Sequence, residues 1–586
     1  MTHTNHFFFN RITLLLLLTV SAPALCIEKP HATIVFVIDQ FAYHYLYKLK
    51  PFLTGGIRFL LDNGVVYENA HHPHAMPETA VGHTALNTGV LPKDHGIIAN
   101  SWFDVSGKEI APDDDDATTA AVFKSETEMH NYGKGPKLIM VDGLSDQFVL
   151  QSQPNTPHVA FSLSIKSRAA ITTATKLGKA IWFDNETGLF TSSKAYFNQL
   201  PSWVVEFNKR KKVNELTTTQ WNLMYEQNSK YYDFAQTHNY AYAAHNESVI
   251  GKTRTINHDP SNKDPFTSVY KSPMGNDLLL ELAQDCIDKN LTKNNELLLW
   301  ISLSSLDLIA HQYGPDSLEA IDMVYHVDAA LKKFIQYAQK KIGKNKVLFV
   351  LTADHGVVPM QGILKEKGIK TAYKLSVQDL IKEMNEVVLK KHQIGSLVTH
   401  FQMPHFYFDG KLLKELNTAA MADITKELKA FLMLKDGVKN VWTYSELDML
   451  PFDPVHQELE NNFKMQRYPG RSGQLFVQLQ PYALLTKYTT GTSHESPYNY
   501  DTHVPLVIYK KGEIEKKKVV QKVYSTQLAN TLAQITNVQK PSASTAQVLP
   551  GIYELCPQEQ EKEDAAKKHS EQTETIEKQQ AEIEHK

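Results

Sequence analysis

Only three of the 586 residues are cysteine, Cys26, Cys286 and Cys556, too few for a disulfide framework or a thiolate-rich structural zinc site. With Cys26 lost or modified near the start of the chain, Cys286 and Cys556 are left as a candidate pair in an oxidising compartment. Net charge is nearly absent as well: 61 Lys and Arg stand against 64 Asp and Glu, a formal charge of -3. A chain so balanced has no overall electrostatic footprint for a nucleic-acid backbone, so no nucleic acid is expected as a dedicated partner and any anion site must be local. No Gly/Ser-rich or Pro-rich linker and no repeat of fixed period divides the body, although the length alone, at about 150 residues per domain, would allow roughly four domains.

Long apolar runs are missing everywhere except near the start. There His3, His6 and Arg11 precede Ile12-Thr13-Leu14-Leu15-Leu16-Leu17-Leu18, with Ala22-Pro23-Ala24 beyond. This is the pattern of a secretory signal, expected over residues 1–26 with cleavage after Ala24 or Cys26. An N-terminal anchor is the alternative, but the run is shorter than the roughly 20 residues that a spanning helix needs. The bulky Leu25 before Cys26 disfavours a lipoprotein site. The expectation is an exported protein, periplasmic or secreted, with no membrane span after signal cleavage. At the other end, Pro557 to Lys586 holds nine acids and five bases, with Ile576 and Ile583 as its only large aliphatics. Such a segment cannot bury a core and is expected to be a charged disordered or helical tail.

What the chain has in abundance is core. Hydrophobic residues make up 42%, including 26 Phe, 26 Tyr and 6 Trp, which excludes global disorder. Three short apolar runs, Thr33 to Ile38, Leu297 to Leu303 and Val347 to Thr352, read as buried strands of an α/β sheet. Each is followed closely by an acid: Asp39, Asp307 and Asp354. Open α/β sheets place ligands at the carboxyl ends of their strands, while a single acid there would serve equally well as an N-cap.

Two of these acids stand beside histidines. Asp307 and His311 are spaced i, i+4, so on a helical turn both project from one face. Asp354-His355-Gly356 follows a strand directly, and a bend at Gly356 would let both side chains converge. Aspartate oxygens with imidazoles and no thiolates suit zinc, with manganese, cobalt or iron as weaker options. Met76-Pro77-Glu78-Thr79-Ala80-Val81-Gly82-His83 places the Thr79 hydroxyl at the start of an expected helix, where unpaired N-H groups favour an alkoxide or a phosphate. Its alternative role is an ordinary N-cap.

The order of motifs carries a resemblance. Asp39-Gln40-Phe41, the segment from Met76 to Gly89, Gly96 to Asp104, Lys166-Ser167-Arg168, Ser304 to Pro315, Thr352 to Gly356 and Gly491 to Leu506 together resemble the alkaline phosphatase superfamily. Within it the chain is most similar to PafA-like bacterial alkaline phosphatases, related to the type I phosphodiesterase and nucleotide pyrophosphatase group. The similarity extends from residue 33 to residue 509. It implies an α/β fold, an alkaline-phosphatase-like central sheet flanked by helices on both faces with inserted cap segments around the active site. The catalytic domain is expected over residues 27–556, with insertions at about 166–275 and 360–490.

The resemblance also implies a site with two Zn2+ ions. Asp39, Asp354, His355 and the Thr79 oxygen would surround one zinc, and Asp307, His311 and His494 the other. Thr79 would attack phosphorus, forming a phosphothreonine that water then hydrolyses in a second in-line displacement. Asn100, Lys166 and Arg168 match the phosphate contacts of the family, and on an extended segment Lys166 and Arg168 would point the same way. A monoester presents a nonbridging oxygen that a diester lacks, so this clamp selects small-molecule phosphate monoesters. The chain departs from the pattern at Glu495, where the family usually has glycine after the histidine. His503 is expected to be structural, and Trp182, Phe183, Phe190 and Trp203 to be core or to line a substrate entrance.

A phosphodiesterase or nucleotide pyrophosphatase on the same scaffold is the nearest rival, and the Lys166/Arg168 clamp argues against it. A sulfatase is disfavoured because neither C-x-P-x-R nor S-x-P-x-R occurs. A non-catalytic phosphate-ester-binding protein would normally have lost the nucleophile or the ligands.

Overall fold

The three apolar runs become adjacent strands of one sheet. The structure, a computed structural model, describes residues 28–122, 133–210, 212–216, 219–235, 248–252, 265–453, 455–488 and 490–552. The expected signal, the charged tail, Cys26 and Cys556 lie outside the described residues; Cys286 is buried as a free thiol.

The strands that matter for the site are β1 (Ala32–Ile38), β2 (Val65–His71), β3 (His158–Ser164), β4 (Lys179–Asp184), β5 (Glu296–Leu303), β6 (Val347–Thr352) and β7 (His503–Lys510). They belong to a 12-stranded sheet. Its middle runs β6, β1, β5, β3, β4, all parallel, while β7 lies antiparallel to β6 and β2 antiparallel to β7. Every residue of β1 and β6 is buried. Both faces are therefore covered, which is why these strands are continuous apolar runs rather than alternating ones. The Phe36 ring packs edge-on against Phe334, with centroids 5.6 Å apart, and stacks on Phe349 at 6.1 Å.

The relevant helices are α1 (Thr79–Thr88), α2 (Ser167–Ala174), α3 (Pro273–Asn290), α4 (Ser305–Tyr313) and α5 (Leu318–Ile342). The Ser317 hydroxyl starts α5 by accepting the Ala320 N-H at 3.1 Å, an N-cap of the expected kind. Ile321, Val324, Leu331 and Ile335 then bury one face of that helix in the main core.

Residues 167–193, inside the first expected insertion, form α2, β4 and the strand Leu189–Ser193. They are part of the main sheet and its helix layer. Within the second expected insertion lie a four-stranded sheet, ordered Val398–Gln402, His405–Phe408, Leu475–Leu479 and Val438–Thr443, and the helices Val377–His392 and Thr418–Met433. Leu380, Met384, Ile424, Leu428, Phe406 and Val477 build a separate apolar cluster there.

Candidate active site

Four neighbouring parallel strands deliver the sequence-predicted residues to one edge. Asp39 follows β1 and Asp354-His355 follow β6. Asp307 and His311 lie on α4 after β5, and Lys166 comes just after β3. Parallel strands point their carboxyl ends the same way, so residues far apart in the chain meet at that edge.

The metal-type donors fall into two groups. Asp307, His311 and His494 offer ligand atoms within 4.8 Å of one another, as do Asp39, Asp307 and His355. His311 Nε2 lies 3.1 Å from Asp307 Oδ1, as the i, i+4 spacing anticipates. His355 Nε2 lies 3.3 Å from Asp39 Oδ1 and 3.7 Å from Asp354 Oδ2. These three atoms are buried and have no hydrogen-bond partner. Unpaired buried acceptors facing one another are unfavourable unless something positive sits between them. The imidazoles are set up in the same sense: Nδ1 of His311, His355 and His494 meets the carbonyls of Thr492, Gly356 and Pro77 at 2.8, 2.9 and 2.8 Å. A proton on Nδ1 leaves the Nε2 lone pair facing the site, the tautomer that a metal requires. The donor set therefore fits divalent cations.

Electrostatics supports the same reading. Burial raises the Asp39 pKa, and the nearby Asp307 and Asp354 carboxylates raise it further. For His355, burial opposes the charged form, but Asp354, Asp39 and Asp307 outweigh it and push its pKa up to about 10. Negative charge is thus concentrated here in a buried space.

Thr79 is the first residue of α1 and is buried. The N-cap is Glu78, in an extended conformation, so Thr79 is not the cap and its hydroxyl is not taken up by that role. Its Oγ1 accepts from the Lys166 ammonium at 3.4 Å. Asn100 Oδ1 accepts the Ala80 N-H at 3.0 Å, which leaves the Asn100 amide nitrogen for a further acceptor.

The expected extended segment holds at Lys166 but ends there. Lys166 is the N-cap of α2, and Ser167 and Arg168 are already helical, because β3 ends at Ser164 and the chain turns at once. The Lys166 Nζ lies 2.6 Å from Asp39 Oδ2 and 2.5 Å from Asp307 Oδ2, bridging the two acid groups. The Arg168 Nε is buried without a partner. The Ser167 hydroxyl between them donates to Asp113 Oδ2 at 2.5 Å, which pins the turn.

Three residues of the site lie inside quoted motifs without an assigned role. Gln40, at φ 66, donates its N-H to Asp354 Oδ1 at 3.1 Å and its side-chain amide to Asp307 Oδ1 at 2.7 Å, joining the two donor groups. His83 Nδ1 meets the Thr79 carbonyl at 2.8 Å, and its Nε2 meets Ser302 Oγ at 2.7 Å. Asp354 Oδ2 lies 3.2 Å from that Nδ1 without a well-directed hydrogen bond. Glu78 accepts the Asn100 N-H and the Gln402 amide at 3.3 Å, so the second sheet reaches the start of α1. The shared signal was their position in the helical and strand-end motifs.

Glu495 has φ 103, a conformation that suits glycine. Its side chain is half-buried against Glu78: desolvation and the Glu78 carboxylate raise its pKa well above the usual range, and the two carboxyls are hydrogen-bonded. Gly356 is needed less for a bend than for close approach, since a Cβ there would lie 2.2 Å from the Tyr500 carbonyl oxygen. His503 stacks on Tyr43 and His71 at 4.1 and 4.6 Å, with its Nε2 at the Glu68 carbonyl, a structural placement. Trp182, Phe183, Phe190 and Trp203 are buried in apolar clusters, not at an entrance.

Comparison with known proteins agrees with this geometry. Alkaline phosphatase PhoV of Synechococcus elongatus is 30% identical over 536 residues, covering 89% of this chain and 93% of that protein. Alkaline phosphatase PafA of Elizabethkingia meningoseptica is 27% identical over 537 residues, covering 88% and 93%. The crystal structure of wild-type PafA superimposes with a TM-score of 0.78 at 25% identity, covering 90% of this chain and 99% of that one. Residues 33–503 match the family model described as type I phosphodiesterase / nucleotide pyrophosphatase, a span containing all the donor residues above, and the chain belongs to that family.

Proposed function

We propose that this protein is an exported alkaline phosphatase that hydrolyses phosphate monoesters through a phosphothreonine on Thr79, with Asp39, Asp354, His355 and Thr79 holding one zinc and Asp307, His311 and His494 the other. The observation that carries this reading is the convergence of the unpaired Asp39 Oδ1, Asp354 Oδ2 and His355 Nε2 beside Thr79. Names of the relatives, two of them alkaline phosphatases, support the same activity. The N-terminal pattern supports export, and among the described residues no helix is long and apolar enough to cross a membrane.

Zinc bound at these donors would supply Lewis acidity to the Thr79 hydroxyl and to the departing ester oxygen. Thr79 attacks phosphorus from the N-terminus of α1, where the helix dipole favours the developing negative charge. The Lys166 ammonium and the Arg168 guanidinium stabilise the nonbridging oxygens as charge shifts onto them, and the Asn100 amide donates to the same group. Gln40 and His83 hold Asp307, Asp354 and the Thr79 backbone in place during both displacements. Water attacks the phosphothreonine from the side the alcohol has left, releasing phosphate.

The family model itself favours a second reading, a diesterase or nucleotide pyrophosphatase. Lys166 beside Thr79 argues for the monoester, whose extra oxygen needs a cationic partner. Acid quench during turnover followed by peptide mapping tests the proposal. Phosphate should appear on Thr79 and vanish in Thr79→Ala, while Thr79→Ser keeps part of the activity; a phosphoryl group on another residue, or wild-type rates in Thr79→Ala, would overturn it.

A further inference from the structure

Met76 stands three residues before Thr79, and Ile98 two before Asn100, in segments that belong to no helix or strand. Buried backbone of this kind has no ladder to satisfy it and must find its partners elsewhere. The Gln466 side chain serves both segments. Its Oε1 accepts the Met76 N-H at 3.3 Å, and its Nε2 donates to the Ile98 carbonyl at 2.5 Å. Gln466, Met76 and Ile98 are all fully buried. A backbone N-H can only donate and a carbonyl only accept, so the two partners dictate which way the amide faces.

Gln466 is the last residue of the helix Glu458–Gln466, inside the second expected insertion, 390 positions from Met76 and 368 from Ile98. Phe463 seats that helix in an apolar cluster with Ala75, Leu447 and Phe476. Packing thus brings the helix to the segment that leads into Thr79, and the planar amide adds a bridge of fixed width between that segment and the one that leads into Asn100. Closer to the site the same two segments are joined again: Glu78 accepts the Asn100 N-H, and Asn100 Oδ1 accepts the Ala80 N-H.

We propose that Gln466 is a positioning residue for phosphoryl transfer, setting Asn100 against Thr79 so that the Asn100 amide meets a phosphoryl oxygen while Thr79 attacks. The inference rests on the monoesterase reading, in which Asn100 is a phosphate contact, and adds the group that holds this contact in place. A displacement of about 1 Å between reacting and orienting groups costs up to roughly a hundredfold in rate, so a bridge outside the site can matter to the chemistry.

A kinetic cycle of Gln466→Met with Asn100→Ala tests it on 4-nitrophenyl phosphate. Methionine keeps the length of the side chain and removes both hydrogen bonds. Gln466→Met should lower kcat/KM about tenfold when Asn100 is present, and about twofold or less in Asn100→Ala, because residues that act through one contact are not additive. Should Gln466→Met fail to fold, Gln466→Asn carries the same cycle, since its amide is one methylene short of spanning both segments. Equal losses in the two backgrounds, a wild-type rate in a folded variant, or failure of both variants to fold would overturn the proposal and leave Gln466 a purely structural bridge. A wild type without activity on 4-nitrophenyl phosphate overturns the monoesterase reading and the proposal with it.

Discussion

His83 shows what individual residues do behind the candidate donors. Its Nδ1 fixes the Thr79 carbonyl, its Nε2 meets Ser302 on β5, and Asp354 lies beside it. His83→Ala removes a fully buried ring and leaves Ser302 and the Thr79 carbonyl without that partner. The expected cost is about 2 to 4 kcal/mol in stability, with zinc affinity at the Asp39 group reduced roughly 10- to 100-fold. Thermal denaturation and competitive zinc titration check the two effects; unchanged zinc affinity would show that His83 only fills space. Neither His83 nor Gln40 could be assigned from sequence, because their partners are distant: Gln40 meets Asp307 across 267 positions and His83 meets Ser302 across 219. Asp307 and His311 were legible because their relation is local, a single helical turn. Glu495 was legible as a departure but not as a partner of Glu78, which is remote in the chain.

Among the elements, α1 is held against the end of β6 by an absent side chain. A Cβ on Gly82 would lie 2.1 Å from the Asp354 carbonyl oxygen, and that oxygen belongs to backbone that cannot rotate away. In an ordinary helix interior Gly→Ala gains about 1 kcal/mol. Here Gly82→Ala should reverse the sign and destabilise by about 1 to 3 kcal/mol, the cost of overpacking. It should also lower kcat, because moving α1 moves Thr79 away from Asp39 and His355. Denaturant unfolding beside steady-state kinetics checks both, and a more stable, fully active variant would contradict the close packing. The three core strands could be read from their apolar runs, since burial on both faces removes alternation. The turn after β3 could not: apolar periodicity does not reveal that the chain enters α2 at Ser167, and Lys166 consequently sits between Asp39 and Asp307 rather than beside Arg168 on a strand.

For the whole molecule, the candidate cation donors, from Asp39 to His494, are drawn from distant parts of the chain to one sheet edge. Three carboxylates converge there, and Lys166 is the cation that bridges two of them. Exhaustive chelation should therefore abolish activity and lower Tm by several degrees, because a ligand bound only by the native state stabilises it by mass action, and zinc should restore both. Metal analysis of the active protein should find about two zinc ions per chain, whereas full activity in metal-free protein would contradict the two-cation site. In a chain of balanced charge, the positive groups that meet the site acids among the described residues are local ones, with Lys166 between Asp39 and Asp307.

Monoester and diester hydrolysis with a common 4-nitrophenol leaving group, in the wild type and in Lys166→Ala and Arg168→Ala, tests the central claim most directly. The wild type should favour the monoester, and each substitution should lower monoester kcat/KM by about a hundredfold or more while changing the diester far less. The two losses should not add, because both side chains grip one group. A wild type that prefers the diester, or equal losses on both substrates, would contradict the account and return the site to the diesterase reading.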